Sequence, residues 1–243
     1  MKAIVLCGGF AKRLLPISEF IPKPLFPLGG KPLVDHIVDR IINIKINDIY
    51  LSVNKKFQDQ FKYYASKRND AKISLIVEPT MKEEEKLGAI KGLKYAMDRI
   101  DYDNFIVIAG DNYFDFELID IYKKFMEINK ITIGLFELSS LEEARRFGVV
   151  EIDENNKIIS FEEKPDKPKS KLISTGIYLF PNGVSEKLTK YINDKNNPDQ
   201  LGNFITWLIK NEDVYGIPLK GKWYDIGTLE TYRELYNSFL SDF

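Results

Sequence analysis

The chain has 243 residues, long enough to bury a sizeable core. Its 44% hydrophobic, 13% aromatic and 29% charged residues are those of an ordinary globular protein, with no apolar run approaching the 18 or so needed to span a membrane. The 35 Lys and Arg against 36 Asp and Glu leave a net charge of -1, which excludes a broadly basic nucleic-acid surface but leaves room for a local basic pocket. One cysteine excludes an internal disulfide, and Cys7 at the end of the first strand has no His partner nearby, so it reads as a small buried residue. The start carries one cation and then a glycine turn in place of a signal-peptide core, so the expected location is the cytoplasm.

Apolar runs and helical patterns alternate through the first half. Strands are predicted at Ala3–Leu6, Asp48–Val53, Ile73–Val77, Asn104–Ala109 and Ile131–Leu138. Helices are predicted near Leu33–Ile44, Gln58–Lys67, Ala89–Asp98 and Glu117–Asn129. That rhythm implies an α/β fold with a Rossmann-like, mainly parallel sheet flanked by helices. After Leu138 the rhythm changes to short strands, Val149–Ile152 and Ile158–Glu162, around the turn Asp153-Glu154-Asn155-Asn156-Lys157. A strand at Ser174–Phe180, helices near Ser185–Tyr191 and Gly202–Lys210, a strand near Val214–Pro218 and a helix near Leu229–Leu240 follow. The second half reads as an extension of the same sheet rather than a separate domain.

The first strand runs into Leu6-Cys7-Gly8-Gly9-Phe10-Ala11-Lys12-Arg13-Leu14, and Pro22-Lys23-Pro24-Leu25 follows. Paired glycines let backbone N–H groups approach phosphate oxygens without a Cβ in the way. Arg13 offers a planar fork of donors and Lys23 a mobile point charge, a pairing suited to a polyphosphate. A bare Gly-Gly turn is also common in α/β proteins generally. Further on, Ile106–Ala109 ends in Gly110-Asp111-Asn112, at the strand end where open α/β sheets bind ligands. Asp111 there suits Mg²⁺, or caps a following helix. Asp225, in Trp223-Tyr224-Asp225-Ile226-Gly227-Thr228, offers a second carboxylate with the same alternative. His36 reads as a surface or packing residue, and Phe57, Phe61 and Tyr64 as a core stripe.

The order of these elements resembles the sugar-phosphate nucleotidylyltransferases, glucose-1-phosphate thymidylyltransferase-like enzymes of the nucleotidyltransferase A type. Gly8, Gly9, Arg13, Leu14, Pro16, Pro22, Lys23, Leu25 and Pro27 fall on that family's GGxGTRLxPxTxxxPKxLxP pattern, with Ala11 and Lys12 replacing a glycine and a threonine. Gly110-Asp111-Asn112 matches its GDN element, Phe147-Gly148-Val149-Val150 its FGVV segment, Glu163-Lys164-Pro165 its EKP element, Ser174-Thr175-Gly176-Ile177-Tyr178 its sugar-lining strand, and Trp223–Thr228 its WxDxGT element. The base segment fits least. Gly88-Ala89-Ile90 agrees, while Glu85 and Lys86 stand where small residues are usual, and Glu78-Pro79 replaces the Gln-Pro of thymidylyltransferases, whose glutamine contacts the base.

The resemblance implies transfer of a nucleoside monophosphate from a nucleoside triphosphate to a sugar 1-phosphate, with glucose 1-phosphate and dTTP or UTP favoured by the Phe147–Tyr178 block. Mannose or heptose 1-phosphate with GTP comes next. A non-catalytic nucleotide-sugar sensor and a cytidylyltransferase acting on phosphocholine are the readings from other classes. It further implies Leu6, Gly8, Gly9, Lys12, Arg13, Lys23, Gly88 and Asp111 at the nucleotide, Arg13 and Lys23 as catalytic cations, and Gly148, Glu163, Lys164, Thr175 and Gly176 at the sugar phosphate. Mg²⁺ would sit on Asp111 and Asp225. One nucleotidyltransferase domain over 1–243 is expected, with a nucleotide part about 1–140, a sugar part about 141–228, a C-terminal helix about 229–240, and no hexapeptide β-helix. Relatives are often symmetric oligomers; no interface is legible here, and neither nucleic acid nor membrane is an expected partner.

Overall fold

The structure is a computed structural model and describes residues 1–101 and 103–241. In chain order, β1 (Lys2–Leu6) leads to the short helix α1 (Ile17–Phe20), a hairpin of β2 (Pro27–Leu28) and β3 (Lys31–Pro32), and α2 (Leu33–Asn43). Then come β4 (Asp48–Asn54), α3 (Gln58–Lys67), β5 (Lys72–Glu78), α4 (Ala89–Met97), β6 (Phe105–Ala109), β7 (Asn112–Phe114), α5 (Ile119–Ile128) and β8 (Ile131–Glu137). The remainder is α6 (Leu141–Ala144), β9 (Gly148–Ile152), β10 (Ile158–Glu163), β11 (Leu172–Phe180), α7 (Val184–Asn193), α8 (Leu201–Leu208), β12 (Val214–Pro218), β13 (Trp223–Asp225) and α9 (Leu229–Ser241). No helix among the described residues is long and apolar enough to cross a membrane.

These elements form two compact units. The outer unit comprises Lys2–Lys86, Ile108–Glu117 and the chain from Gly221 on; the middle unit comprises Met1, Leu87–Val107 and Leu118–Lys220. In the outer unit β1, β4 and β5 are parallel, with Ala3 opposite Ile49 and Asp48 opposite Lys72. Ala3, Ile4 and Val5 are wholly buried, as an interior strand of a parallel sheet requires on both faces. Helix α2 buries Leu33, Val34, Ile37, Val38 and Ile41, one stripe at helical spacing, and leaves Asp35 and Arg40 off it. The expected stripe Phe57, Phe61 and Tyr64 is buried. His36 is a packing residue, its ring edge-on to Tyr113 and Phe239 and its Nε2 3.0 Å from the Leu28 carbonyl oxygen.

In the middle unit β8 pairs antiparallel with β11 and parallel with β12. The β9–β10 hairpin turns as predicted: the Asp153 carboxylate accepts from the Asn155 and Lys157 amides, and Asn156 takes a left-handed φ of 62°. Helix α5 stops at Asn129, also left-handed, at a residue that tolerates this conformation. The parallel pairing read from the sequence is found in β1, β4 and β5, and strands after Leu138 bring antiparallel pairs, β9 with β10 and β11 with β8. The short ladder β7–β13 was not predicted; three residues per strand carry no legible periodicity.

Candidate active site

In the outer unit β1 delivers the Gly-Gly turn at the carboxyl end of the parallel strands. The Cys7 amide donates to Ser52 O at 2.7 Å, and the Gly110 amide to Leu6 O at 2.9 Å. A Cβ on Gly110 would lie 2.7 Å from Cys7 Sγ and 2.8 Å from Leu6 O, so packing requires that glycine, and a Cβ on Gly8 would lie 2.8 Å from Glu78 Oε1 and displace that carboxylate. Gly9 differs: nothing lies within 4 Å of where its Cβ would be, which leaves its backbone open. Ala11 adopts the left-handed conformation (φ 49°, ψ 47°), and its carbonyl accepts from Ser18 Oγ at 2.9 Å. The turn Lys12–Leu14 then buries Leu14 and exposes Lys12 and Arg13. Lys12 Nζ is 3.1 Å from Glu84 Oε1, in the acidic turn Glu83–Glu85. Arg13 has no hydrogen bond or ion pair among the described residues.

Lys23 is anchored at two points. Its side chain is 12% exposed, and its Nζ donates to Asp111 Oδ2 at 2.7 Å and to Ile226 O at 2.8 Å. Asp111 sits between β6 and β7, with no helix beginning before Ile119, so the helix-cap alternative falls away. Asp225 ends β13 opposite Asn112, and the Ile226 amide donates to Asp111 O at 3.2 Å. Thr228, not Asp225, caps α9, accepting from the Thr231 amide at 3.2 Å. The ladder therefore brings together Lys23, Asp111 and Asp225, which are far apart in sequence. Among the described residues no group of three or more His, Cys, Asp or Glu could by itself hold a metal ion. Two carboxylates and no closed cage are the donor set Mg²⁺ takes when phosphate oxygens and water complete its shell. Cys7 is buried, and burial pushes its thiol well above the ordinary range, which makes it inert.

In the middle unit Gly148 opens β9 opposite Glu163 at the end of β10. The Glu163 side chain is 16% exposed, its only cation among the described residues being Lys164 Nζ at 3.7 Å. Burial raises its pKa, and Lys164 partly opposes the rise. Lys164 has a left-handed φ of 49°, and its amide donates to Phe147 O at 3.0 Å. Gly176 (φ 77°) lies where the β11–β8 register shifts between Ser174 and Tyr178. Thr175 is fully buried, its hydroxyl donated to Gly134 O at 2.8 Å, so it supports the strand from inside. Gly88 is left-handed (φ 82°), and a Cβ there would meet Pro198 O at 2.8 Å. The next two amides, of Ala89 and Ile90, are bonded to Asp199 O and Pro198 O. Gly88 thus belongs to the middle unit, and the other predicted nucleotide residues to the outer one.

Sequence reasoning missed Gly202. A Cβ there would fall 1.8 Å from Glu163 Oε2, and one on Gly148 3.1 Å from the same oxygen. Gly202 and Gly148 leave the space that this carboxylate fills. A glycine inside a helix opposes helix propensity and was the legible signal.

The sequence profile described as nucleotidyl transferase matches residues 2–242. The bifunctional protein GlmU of Methanocaldococcus jannaschii is 36% identical over 227 residues, covering 93% of this chain and 51% of its own length. A glucose-1-phosphate adenylyltransferase of Thermosipho melanesiensis is 32% identical, covering 96% of this chain and 60% of its own. The chain spans about half the length of the curated relatives it matches first. Among solved structures, UDP-glucose pyrophosphorylase complexed with UDP-glucose superposes with a TM-score of 0.85 over 100% of this chain and 99% of that one; at 23% identity the likeness is one of fold.

Proposed function

The chain belongs to the nucleotidyl transferase family, and on that premise we propose that it transfers a nucleoside monophosphate from a nucleoside triphosphate to a sugar 1-phosphate, releasing pyrophosphate. The observation that carries this reading is Lys23, held between the Asp111 carboxylate and the Ile226 carbonyl, with Asp225 on the adjoining strand. A cation already paired with a carboxylate can exchange that partner for phosphate oxygens without creating an unpaired buried charge. Arg13, exposed on the same unit, adds a bidentate donor for the triphosphate and the departing pyrophosphate.

The attacking atom is an oxygen of the sugar phosphate, already anionic, so no general base is needed. It displaces pyrophosphate in line at the α-phosphorus, and catalysis is positioning plus charge neutralisation. Glu163 accepts hydroxyl hydrogen bonds of the sugar, and Lys164 takes its phosphate. Asp111 and Asp225 would hold Mg²⁺, which when bound screens the repulsion between the two anionic reactants.

For the sugar we propose glucose 1-phosphate, on the resemblance of the Phe147–Tyr178 block. The same block favours dTTP or UTP. GTP is the second reading, and the buried carboxylate of Glu78, an acceptor-only group, speaks for it. The test is pyrophosphate release with Mg²⁺ across GTP, UTP, dTTP, ATP and CTP against a panel of sugar 1-phosphates. Turnover with one pair fixes base and sugar together. Silence across the panel, with nucleotide-sugar binding intact by thermal shift, replaces this reading with that of a non-catalytic sensor.

A further inference from the structure

Two buried polar side chains bond to carbonyl oxygens of the Gly-Gly turn, and the chemistry assigned above uses neither. Asn54 ends β4 with 0% exposure, and its Nδ2 donates to Gly8 O at 3.3 Å. Ser18, in α1, is 2% exposed, and its Oγ donates to Ala11 O at 2.9 Å. Each therefore grips the segment that carries Gly9, Lys12 and Arg13.

Capping accounts for half of Asn54. Its Oδ1 accepts from the Phe57 amide at 3.1 Å, at the turn Lys55–Phe57. Aspartate caps as well as asparagine does, so that bond alone does not call for an amide side chain. The Phe57 amide can only donate and Gly8 O can only accept, so Oδ1 must face the first and Nδ2 the second. The donor half of this buried side chain is thus spent on the first glycine of the turn.

A trans peptide group is planar, so its C=O and N–H point to opposite sides. Holding Gly8 O against the buried Asn54 turns the Gly9 amide the other way, and holding Ala11 O against Ser18 does the same for the Lys12 amide. The Leu14 amide, at 2.8 Å, takes the second lone pair of Ala11 O, so that plane is fixed from two sides. Gly9 and Lys12 are both exposed, and nothing lies within 4 Å of where a Gly9 Cβ would be. Neither amide has a hydrogen-bond acceptor among the described residues. Donors set in advance of the anion need no reorganisation when charge develops, which is where electrostatic stabilisation gains most. Resting on the transferase reading above, we propose that Asn54 and Ser18 are positioning residues, which fix two peptide planes so that the Gly9 and Lys12 amides meet phosphate oxygens of the nucleoside triphosphate.

Asn54→Asp separates this role from capping. The carboxylate still accepts from the Phe57 amide, but it presents an acceptor to Gly8 O and repels it. Binding of inorganic tripolyphosphate, measured by calorimetry, reads the turn without base, sugar or turnover. KM and kcat for each substrate and a thermal melt complete the set. In Asn54→Asp we expect tripolyphosphate to bind about 10-fold more weakly and kcat/KM for the nucleoside triphosphate to fall roughly 10- to 100-fold, the scale of a misplaced positioning group, with KM for the sugar 1-phosphate unchanged. Ser18→Ala should weaken tripolyphosphate binding in the same direction, and Ser18→Thr, which keeps the hydroxyl, should restore it; this pair decides the question if the buried aspartate unfolds Asn54→Asp. Native tripolyphosphate affinity in a folded Asn54→Asp or in Ser18→Ala overturns the assignment and leaves the transferase reading standing. So does an equal rise in KM for both substrates, the mark of a general loss of structure. A native chain silent in turnover, whose tripolyphosphate binding still falls in these variants, overturns the transferase reading and leaves the positioning role standing.

Discussion

The two units treat charge in opposite ways. In the outer unit two of the predicted cations have protein partners, Lys23 held by Asp111 and Ile226 O and Lys12 by Glu84, while Arg13 has none among the described residues. In the middle unit the key carboxylate, Glu163, has only a loose lysine at 3.7 Å and lies where Gly148 and Gly202 leave room for it. A triphosphate is recognised by exchangeable charge, and a sugar ring by a shaped niche with an acceptor in it. Changes of charge should therefore dominate in the outer unit, and changes of volume in the middle one.

The largest effect is expected from Asp111→Asn. It removes the Lys23 partner and a proposed metal ligand while keeping the shape. Turnover should fall by about 10²–10³, the usual range for one electrostatic contact to developing charge. The melting temperature should stay close to native, because Lys23 retains Ile226 O. Pyrophosphate release alongside a thermal melt checks this, and undiminished turnover would remove Asp111 from the chemistry.

Gly202→Ala is the matching test of volume. Alanine inside a helix ordinarily stabilises by up to about 1 kcal/mol. Here its Cβ would fall 1.8 Å from Glu163 Oε2 and displace the carboxylate. We expect KM for the sugar 1-phosphate to rise roughly 10-fold or more, the scale on which small displacements disturb positioning. KM for the nucleoside triphosphate should not move. Equal changes in both would show a general loss of structure instead of a displaced Glu163.

Glu163→Gln shifts the comparison to pH. The folded-state pKa of Glu163 is raised by burial, so the native state binds more protons than the unfolded one between the ordinary glutamate value and the folded one. Stability is lost as pH rises through that window. Glutamine removes the loss, so the variant should gain melting temperature at pH 7–8 relative to native and gain less at pH 4. Melts from pH 4 to 8 decide it; parallel profiles would mean that Glu163 does not sit as a buried, poorly paired carboxylate.

The strands and long helices were legible because their apolar spacing is forced by burial on one stripe or on both faces, as in α2 and β1. The motif glycines were legible as a group, but their reasons were not. Gly8 faces Glu78 and Gly88 faces Pro198, and Gly202, which belongs to no motif, faces Glu163; these are three tertiary contacts that no local pattern encodes. Asp225 read equally as a helix cap and as a ligand, since the three-residue ladder that sets it opposite Asn112 is too short to show a period. Thr175 sat inside the right segment, yet its side chain is buried and bonded to Gly134 O, because it alternates in step with the buried Ile173 and Ile177 of β11. Composition and spacing locate such segments; which atom of a residue faces the ligand is decided by pairing between strands.

The smallest expected effect belongs to Ala11, where the outer unit departs from the glycine of its family. Ala11 is held left-handed, a conformation that costs an L-residue about 1–2 kcal/mol. Glycine would relieve that strain, but it also widens the unfolded ensemble by about 0.4–1 kcal/mol. The two terms partly offset, leaving a net gain below about 1.6 kcal/mol, so Ala11→Gly should raise the melting temperature by at most about 6 °C. Its effect on the triphosphate should likewise be slight, because the Ser18 hydroxyl already holds the Ala11 carbonyl in place and does not depend on the side chain. A thermal melt and KM for the triphosphate test this together. A fall of several degrees would mean that the alanine methyl contributes packing which outweighs the strain, and the exchangeable charge of this unit would then rest on a loop locked by contact.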